Sequence, residues 1–146
     1  GTVTAYHNNP AKTAETFQDG WLHTGDLGRL DADGFLFING RLKDLIVTGG
    51  QNVHAGEVEE AILRVPGVAD CAVIGLSDPL WGEAVTAVVV PAPGAQVDEA
   101  AVIALCRESL AGFKTPKRVI AQDEALPRTP TGKVQKFLLV ERYQVN

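Results

Sequence analysis

The spacing of apolar residues along this chain predicts most of its elements. Apolar positions three and four residues apart predict helices over 57–65 and 98–110, and a third predicted helix, 134–142, closes the chain. Runs rich in β-branched and other apolar residues predict strands over 45–48, 68–76, 84–90 and 117–122. From residue 44 onward this order, β-α-β-β-α-β-loop-α, is typical of the α+β class, a small mixed sheet with helices covering one face.

The first 40 residues carry a different pattern. A helical turn at 13–17 precedes two extended segments, 27–30 and 35–38, and the Asp-Ala-Asp-Gly between them predicts a β-hairpin. This part does not make a core of its own, so we interpret it as the edge of a larger, truncated N-terminal domain. The polar break at 40–44 then divides the chain into domains 1–42 and 43–146. A loop with a permissive backbone is predicted at 49–52.

Composition and charge exclude several classes of protein. The chain is 45% hydrophobic and carries a formal charge of −5, which excludes disorder and speaks against a nucleic-acid partner. No apolar run reaches the roughly 20 residues of a transmembrane helix. Two cysteines are too few for a disulfide framework and indicate a cytoplasmic protein, and the three scattered histidines give no metal-ligand spacing. The first residue is not methionine and the chain contains no methionine, so we expect the chain to be a piece of a larger protein.

Three polar clusters offer chemistry. Asp26 follows a glycine and can accept hydrogen bonds from two vicinal hydroxyls, although taken alone it reads more readily as a turn residue. Arg41 offers a fork of donors near the adjacent glycines 49 and 50, and a solvated linker with a tight turn fits equally well. Lys133 follows Gly132 in a glycine loop, where a mobile cation can stabilise developing negative charge, although most lysines simply lie at the surface.

Taken together and in order, these clusters resemble the AMP-forming acyl-CoA synthetases, a branch of the acyl-adenylate-forming enzymes. The segment 19–27, Asp-Gly-Trp-Leu-His-Thr-Gly-Asp-Leu, resembles the end of that family's large N-terminal domain. The segment 40–53, which begins Gly-Arg-Leu-Lys-Asp, resembles the start of its small mobile C-terminal domain. The segment 130–136, Pro-Thr-Gly-Lys-Val-Gln-Lys, resembles its terminal catalytic loop.

The resemblance implies two half-reactions on a fatty or aryl acid. A carboxylate attacks the α-phosphate of ATP, with Mg²⁺ bound, and gives an acyl-adenylate and pyrophosphate. The thiol of coenzyme A then displaces AMP, after the small domain has rotated to present a different face. The phosphate-binding loop, the acid pocket and the magnesium site belong to the missing N-terminal domain, so this chain alone is expected to be inactive.

The resemblance also implies a role for each matching residue. Asp26 and Arg41 match the ribose-binding positions, Lys43 the hinge, and Lys133 the lysine required for adenylation. Gly49 and Gly50 would line the channel for the pantetheine arm. The nucleotide end of coenzyme A would lie against aromatic and basic side chains, for which the candidates are Trp81, Phe113 and Lys117; simple packing of the two aromatic rings is the alternative.

Other functions stay open at this point. The chain could be a stand-alone module that binds coenzyme A or a partner protein, although a pure binder has no need of the lysine loop. It could also be a carrier-loading adenylation domain, but those typically have Arg-Gly where this chain has Gly49-Gly50, and Asn-Gly-Lys where it has 131–133. Light-emitting chemistry on the same scaffold is a third possibility. The identity of the acid cannot be read, because its pocket lies outside the chain.

Overall fold

The computed structural model describes residues 3–144 and falls into two compact units, Gly1–Lys43 and Asp44–Asn146. The first unit consists of short elements, which are α1 (Pro10–Thr16), β1 (Phe17–Gln18), β2 (Trp21–Leu22), β3 (Asp26–Leu30) and β4 (Leu36–Arg41). The helix begins three residues before its predicted start because Asn9 caps it, accepting a hydrogen bond from the Lys12 amide, and Pro10 suits its first turn.

The predicted hairpin is confirmed. Strands β3 and β4 pair antiparallel, with Asp26 opposite Arg41, and the Asp31 side chain closes the turn by accepting from the amides of Asp33 and Phe35. Most apolar side chains of the hairpin are exposed, Leu30, Phe35, Leu36, Phe37 and Ile38 among them. Thr16 is the one buried residue among those described in this unit, so the unit has no core of its own, as predicted.

The second unit contains one five-stranded mixed sheet and three α-helices, which confirms the α+β class. Its elements in chain order are β5 (Leu45–Thr48), β6 (Gln51–His54), α2 (Ala55–Ile62), β7 (Val68–Asp78), β8 (Gly82–Pro91), α3 (Glu99–Ser109), β9 (Arg118–Ala121) and α4 (Lys136–Tyr143). The strand order is β6-β5-β8-β7, and β9 pairs with β8 in parallel. Short 3₁₀ turns occupy Leu42–Asp44 and Gly112–Lys114.

The prediction of a loop over 49–52 is wrong for its last two residues. Only Gly49 and Gly50 form a turn, and Gln51 pairs directly with Thr48 to begin β6. Both glycines have positive φ, +54° and +76°, which is what a two-residue hairpin turn of type I′ requires. The sequence pattern did not predict this strand, because the exposed polar side chains of Gln51 and Asn52 interrupt the run of apolar residues.

Helices cover both faces of the sheet, not the single face predicted. Val73 and Val85 point to a core built with α2 and α3, whereas Ile74 and Val88 point to a second core built with Leu139 of α4. The uninterrupted apolar runs of β7 and β8 reflect burial on both faces. The last helix begins two residues later than predicted, since Val134 pairs with Arg128 in an isolated bridge.

Candidate functional site

The hairpin of the first unit brings Asp26 and Arg41 together. They face each other across β3 and β4, and Arg41 Nε lies 3.2 Å from Asp26 Oδ1. The Asp26 amide donates to Thr24 Oγ1 and the Leu42 amide to the carbonyl of Gly25, so the ends of both strands are fixed. Both charged side chains are partly exposed, and together they offer a carboxylate acceptor and guanidinium donors to vicinal hydroxyls.

Lys43 lies in the 3₁₀ turn Leu42–Asp44, and its side chain is exposed. The two compact units meet in sequence at this residue. A change in backbone dihedral angles at such a boundary leaves the core of the second unit intact.

In the second unit, four of the five residues predicted to bind coenzyme A form one surface, which we call the tryptophan patch (Gly49, Gly50, Trp81 and Lys117). The Gly49 amide donates to the Trp81 carbonyl at 2.8 Å. A Cβ added to Gly49 would lie 3.0 Å from a carbon of the Trp81 ring, so the ring packs directly on the glycine backbone. Lys117 Nζ lies 4.7 Å from the centroid of the same ring, and Trp81 is 41% exposed.

Two residues that position the tryptophan patch were not predicted. Asp78 Oδ1 accepts from the amides of Leu80 and Trp81, each at 2.9 Å, and so fixes the turn that presents the indole. Glu83 Oε2 accepts from the Val47 amide at 2.6 Å, which ties β5 to β8 where the two strands share a single residue pair. An Asp-Pro sequence at 78–79 is a recognisable turn signal. No local sequence pattern predicts the role of Glu83, because its hydrogen-bond partner is 36 residues away in the chain.

Phe113 is the fifth residue predicted to bind coenzyme A. It lies in the 3₁₀ turn Gly112–Lys114, half-buried against the core beneath α2 and α3. The adjacent Lys114 pairs with Glu57 at 2.7 Å and lies 5.8 Å from the Phe113 ring. The ring is partly packed, and its role in binding coenzyme A stays a prediction.

The Lys133 loop, residues 127–135, is more ordered than a flexible glycine loop. Its two sides are joined by hydrogen bonds from the Thr129 amide to the Lys133 carbonyl and from the Gln135 amide to the Pro127 carbonyl, both 2.8 Å. Gly132, with φ of +85°, makes the tight turn. The Lys133 side chain is exposed, and within residues 3–144 it takes part in no ion pair. The side chain is thus the free part of this loop, and the main chain is held.

The cysteines offer no reactive thiolate. Cys71 and Cys106 are free and buried. The pKa of the Cys71 thiol is raised to about 12, chiefly by burial and to a smaller extent by the neighbouring carboxylates of Glu59 and Asp70. Over residues 3–144 no group of histidine, cysteine and acidic side chains is arranged to hold a metal ion. No helix in that range is long and apolar enough to cross a membrane.

Comparison with known proteins gives consistent matches over nearly the whole chain. A family model described as the AMP-binding enzyme C-terminal domain matches residues 57–133. The long-chain-fatty-acid–CoA ligase FadD13 of Mycobacterium tuberculosis is 48% identical over 94% of this chain and 27% of its own length. A feruloyl-CoA synthase from Amycolatopsis is 47% identical over 94% of this chain and 28% of its own. The chain therefore spans little more than a quarter of the length of these relatives.

Solved structures give the same match. The ATP-bound structure of MatB from Rhodopseudomonas palustris superposes with a TM-score of 0.86 at 48% identity, over 96% of this chain and 28% of that one. The o-succinylbenzoate CoA synthetase of Bacillus subtilis, solved with its acyl-adenylate intermediate, has the same TM-score of 0.86 at 38% identity, over 92% of this chain and 27% of its own. The backbone described above is thus the backbone of a known class of enzyme structures.

Proposed function

The chain belongs to the AMP-binding enzyme C-terminal domain family, and on that premise we propose that it is the C-terminal part of an AMP-forming acyl-CoA ligase. The observation that carries the proposal is the exposed Lys133, held on a hydrogen-bonded loop at the end of the matched segment. The reaction forms an acyl-adenylate and pyrophosphate from a carboxylic acid and ATP. Coenzyme A then attacks the acyl carbonyl, and AMP leaves.

Lys133 is the residue we assign to adenylation. When an acid carboxylate approaches the α-phosphate, two negatively charged groups are forced together. A lysine ammonium placed between their oxygens lowers this repulsion most where the atoms are closest, in the transition state. Such a charge does little for the second step, in which a thiol attacks an acyl group that is already activated.

Asp26 and Arg41 are assigned to the nucleotide. Their facing side chains provide an acceptor for the two ribose hydroxyls and donors for the same sugar, which supports binding of ATP and of the adenylate. Mg²⁺ would neutralise the phosphate oxygens when bound. We assign the ion to the N-terminal domain outside this chain, as the resemblance to the AMP-forming acyl-CoA synthetases implies.

The tryptophan patch is assigned to coenzyme A. Gly50 leaves space for the narrow pantetheine arm beside Gly49, which carries the Trp81 ring. The partly exposed indole of Trp81 can stack on adenine, and Lys117 can meet a phosphate. Phe113 is the weakest member of this assignment because its ring is already packed against the core.

The first unit is assigned to a larger domain. Its hairpin exposes an apolar surface that a core-less unit cannot cover by itself, which supports the interpretation of residues 1–42 as the edge of an N-terminal domain. Residues 43–146 would then be the mobile domain, with Lys43 as the hinge. The buried, free thiols of Cys71 and Cys106 suit a cytoplasmic enzyme.

The acid is proposed only by class. The similar proteins are named for a long-chain fatty acid, for ferulate and for sulfoacetate, so the shared chemistry is a carboxylic acid activated as its thioester. One structure of similar fold, 38% identical, is an amide bond synthetase, which favours an amine as the alternative acceptor. Incubating the complete enzyme and its acyl-adenylate with coenzyme A or with a simple amine separates the two acceptors.

The test of the function is the complete protein with Lys133→Ala. We expect ATP–pyrophosphate exchange with palmitate, ferulate or sulfoacetate to fall by roughly 100-fold or more, because one preorganised charge in the transition state is lost. Thioester formation from supplied acyl-adenylate should stay within a few-fold. Lys12→Ala is the control, since that lysine is exposed and its one ion pair within residues 3–144 is with Glu15, one helical turn away. A Lys133→Ala protein that adenylates at the normal rate would contradict the assignment.

A further inference from the structure

Two charged residues connect the sheet to the Lys133 loop. One guanidinium, that of Arg128, donates through Nη2 to Asp70 Oδ2 at 2.5 Å and through Nη1 to the Gly132 carbonyl at 2.7 Å. The second carboxylate oxygen of Asp70, Oδ1, accepts from the Cys71 amide of β7 at 3.0 Å. We call this pair the Asp70–Arg128 brace, because it runs without a break from the edge strand of the sheet to the tip of the loop.

The brace acts on the peptide bond that precedes Lys133. The carbonyl of that peptide, on Gly132, accepts from Arg128, and its N–H, on Lys133, donates to Thr129 Oγ1 at 3.2 Å. The carbonyl of Lys133 accepts from the Thr129 amide at 2.8 Å. Both peptide planes that flank the Lys133 Cα are therefore fixed, and the direction in which its side chain leaves the loop is fixed with them.

The hydrogen bonds within the loop are not sufficient to fix the direction of the Lys133 side chain. They set the shape of the turn, and Leu126 and Val134 hold its base in the core, but the tip at Gly132 can still tilt relative to the sheet. The brace joins it to β7, a strand buried on both faces and paired with β8 along its length. Since the ammonium lies at the end of a long side chain, a small tilt of the loop moves it by a larger distance.

Both side chains of the brace are partly exposed, so we expect the brace to affect the position of Lys133 more than the stability of the fold. The side chains of Arg128 and Asp70 are 42% and 34% exposed, and an ion pair in such a setting contributes little to folding. Misplacement of a catalytic group by about 1 Å, in contrast, can cost roughly 100-fold in rate. A residue pair of this kind affects catalysis much more than it affects unfolding.

From this geometry we propose that Asp70 and Arg128 are positioning residues, which hold the main chain of Lys133 for adenylation. The proposal rests on the function assigned to Lys133 above. Arginine is required because only a planar fork reaches a carboxylate and a carbonyl at once; a lysine keeps the charge and loses the second contact. Asp70 affects Lys133 only through Arg128, so removing both residues should be no worse for adenylation than removing one.

The experiment compares both half-reactions in the complete protein carrying Arg128→Lys, Asp70→Asn or both. We expect adenylation of palmitate, ferulate or sulfoacetate to fall about 10-fold or more in kcat, with the KM for ATP within about 2-fold. Thioester formation from supplied acyl-adenylate and the midpoint of unfolding should stay near wild type. Arg142→Lys is the matched control, because Arg142 is 47% exposed, also pairs with a carboxylate, and is not part of the loop.

Hydrogen exchange in the same proteins reports the loop directly. Peptides that cover 128–135 should exchange faster in Arg128→Lys and Asp70→Asn than in wild type or Arg142→Lys, because the hydrogen bonds of the Gly132 and Lys133 amides to Thr129 open more often once the Gly132 carbonyl is no longer held by Arg128. Adenylation at the wild-type rate in both variants overturns the proposal, and so does an equal loss in both half-reactions. A wild-type protein that adenylates none of the three acids contradicts the proposed function and the catalytic part of this inference. Hydrogen exchange then decides independently whether the brace orders the loop.

Discussion

Two adjacent glycines in the tryptophan patch are required for different physical reasons. Gly49 and Gly50 both have positive φ, which costs an L side chain free energy at either position. Only Gly49 also lies under the Trp81 ring; a Cβ at Gly50 would have no heavy atom within 4 Å. The pair thus separates the cost of backbone strain from the cost of a steric contact.

Gly50→Ala should lower the free energy of unfolding by about 1 kcal/mol, from backbone strain alone. Gly49→Ala should cost more, about 2 kcal/mol, because the new methyl group must also displace the indole. Urea unfolding of the chain measures both. In a Trp81→Ala background the two substitutions should cost the same, and an excess for Gly49 that survives there would show that the ring is not its cause.

For single residues, the sequence identifies the candidate functional side chains but not the residues that hold them in position. Asp26, Arg41 and Lys133 stand in recognisable motifs, since each motif is a run of neighbours. Glu83 and Asp70 have no such context: each makes its decisive hydrogen bond to a residue 36 or 58 positions away. Their roles depend on strand pairing and could not be predicted from local pattern.

The edge strand β7 is protected by side chains instead of by another strand. Its amides at Cys71, Val73 and Ser77 donate to Asp70, Glu59 and Gln144 respectively. Unpaired edge amides invite pairing with another chain, and side-chain acceptors remove that opportunity. The protection is assembled from a residue of the strand itself, from α2 and from the residue after α4.

Glu59 makes the most connected of these contacts. Its Oε1 accepts from the Val73 amide at 2.8 Å and lies 2.7 Å from Lys136 Nζ. Because α2 and α4 belong to cores on opposite faces, this carboxylate joins the two faces around the edge of the sheet. The adjacent Glu60 pairs with Arg64, just beyond the end of α2, and with no other charged side chain among residues 3–144.

Glu59→Ala should lower the free energy of unfolding by about 2 kcal/mol, since it leaves a half-buried ammonium and a strand amide without their acceptor. Glu60→Ala, on the same helix but 73% exposed against 23% for Glu59, should change it by less than about 0.5 kcal/mol. Denaturant unfolding of both variants provides the comparison. Equal losses would mean that helix propensity, and not the contact with β7, explains the effect.

For the whole molecule, burial is confined to the second unit. Among the described residues, every buried hydrophobic side chain lies between Ile46 and Leu139. The first unit consists of a short helix and two small hairpins whose apolar side chains face outward. Folding free energy that comes from apolar burial is therefore concentrated in one unit.

Residues 44–146 produced alone should unfold cooperatively, with dispersed amide resonances, whereas residues 1–43 alone should show neither. Circular dichroism against temperature and an amide NMR spectrum of each piece provide the measurement. The 146-residue chain, without the proposed N-terminal domain, should not exchange pyrophosphate into ATP with palmitate, ferulate or sulfoacetate. Exchange by this chain would show that the phosphate and acid sites do not require residues outside it.

The sequence by itself determined the family, the α+β class, the hairpin and the positions of most helices and strands, because each rests on residues a few positions apart. Tertiary structure decided what distant segments do to one another. It made β6 a strand by pairing it with β5, placed helices on both faces of the sheet, seated Trp81 on Gly49, and tied Lys133 to β7 through Arg128 and Asp70. Those contacts depend on the packing of whole elements, which no local pattern of residues encodes.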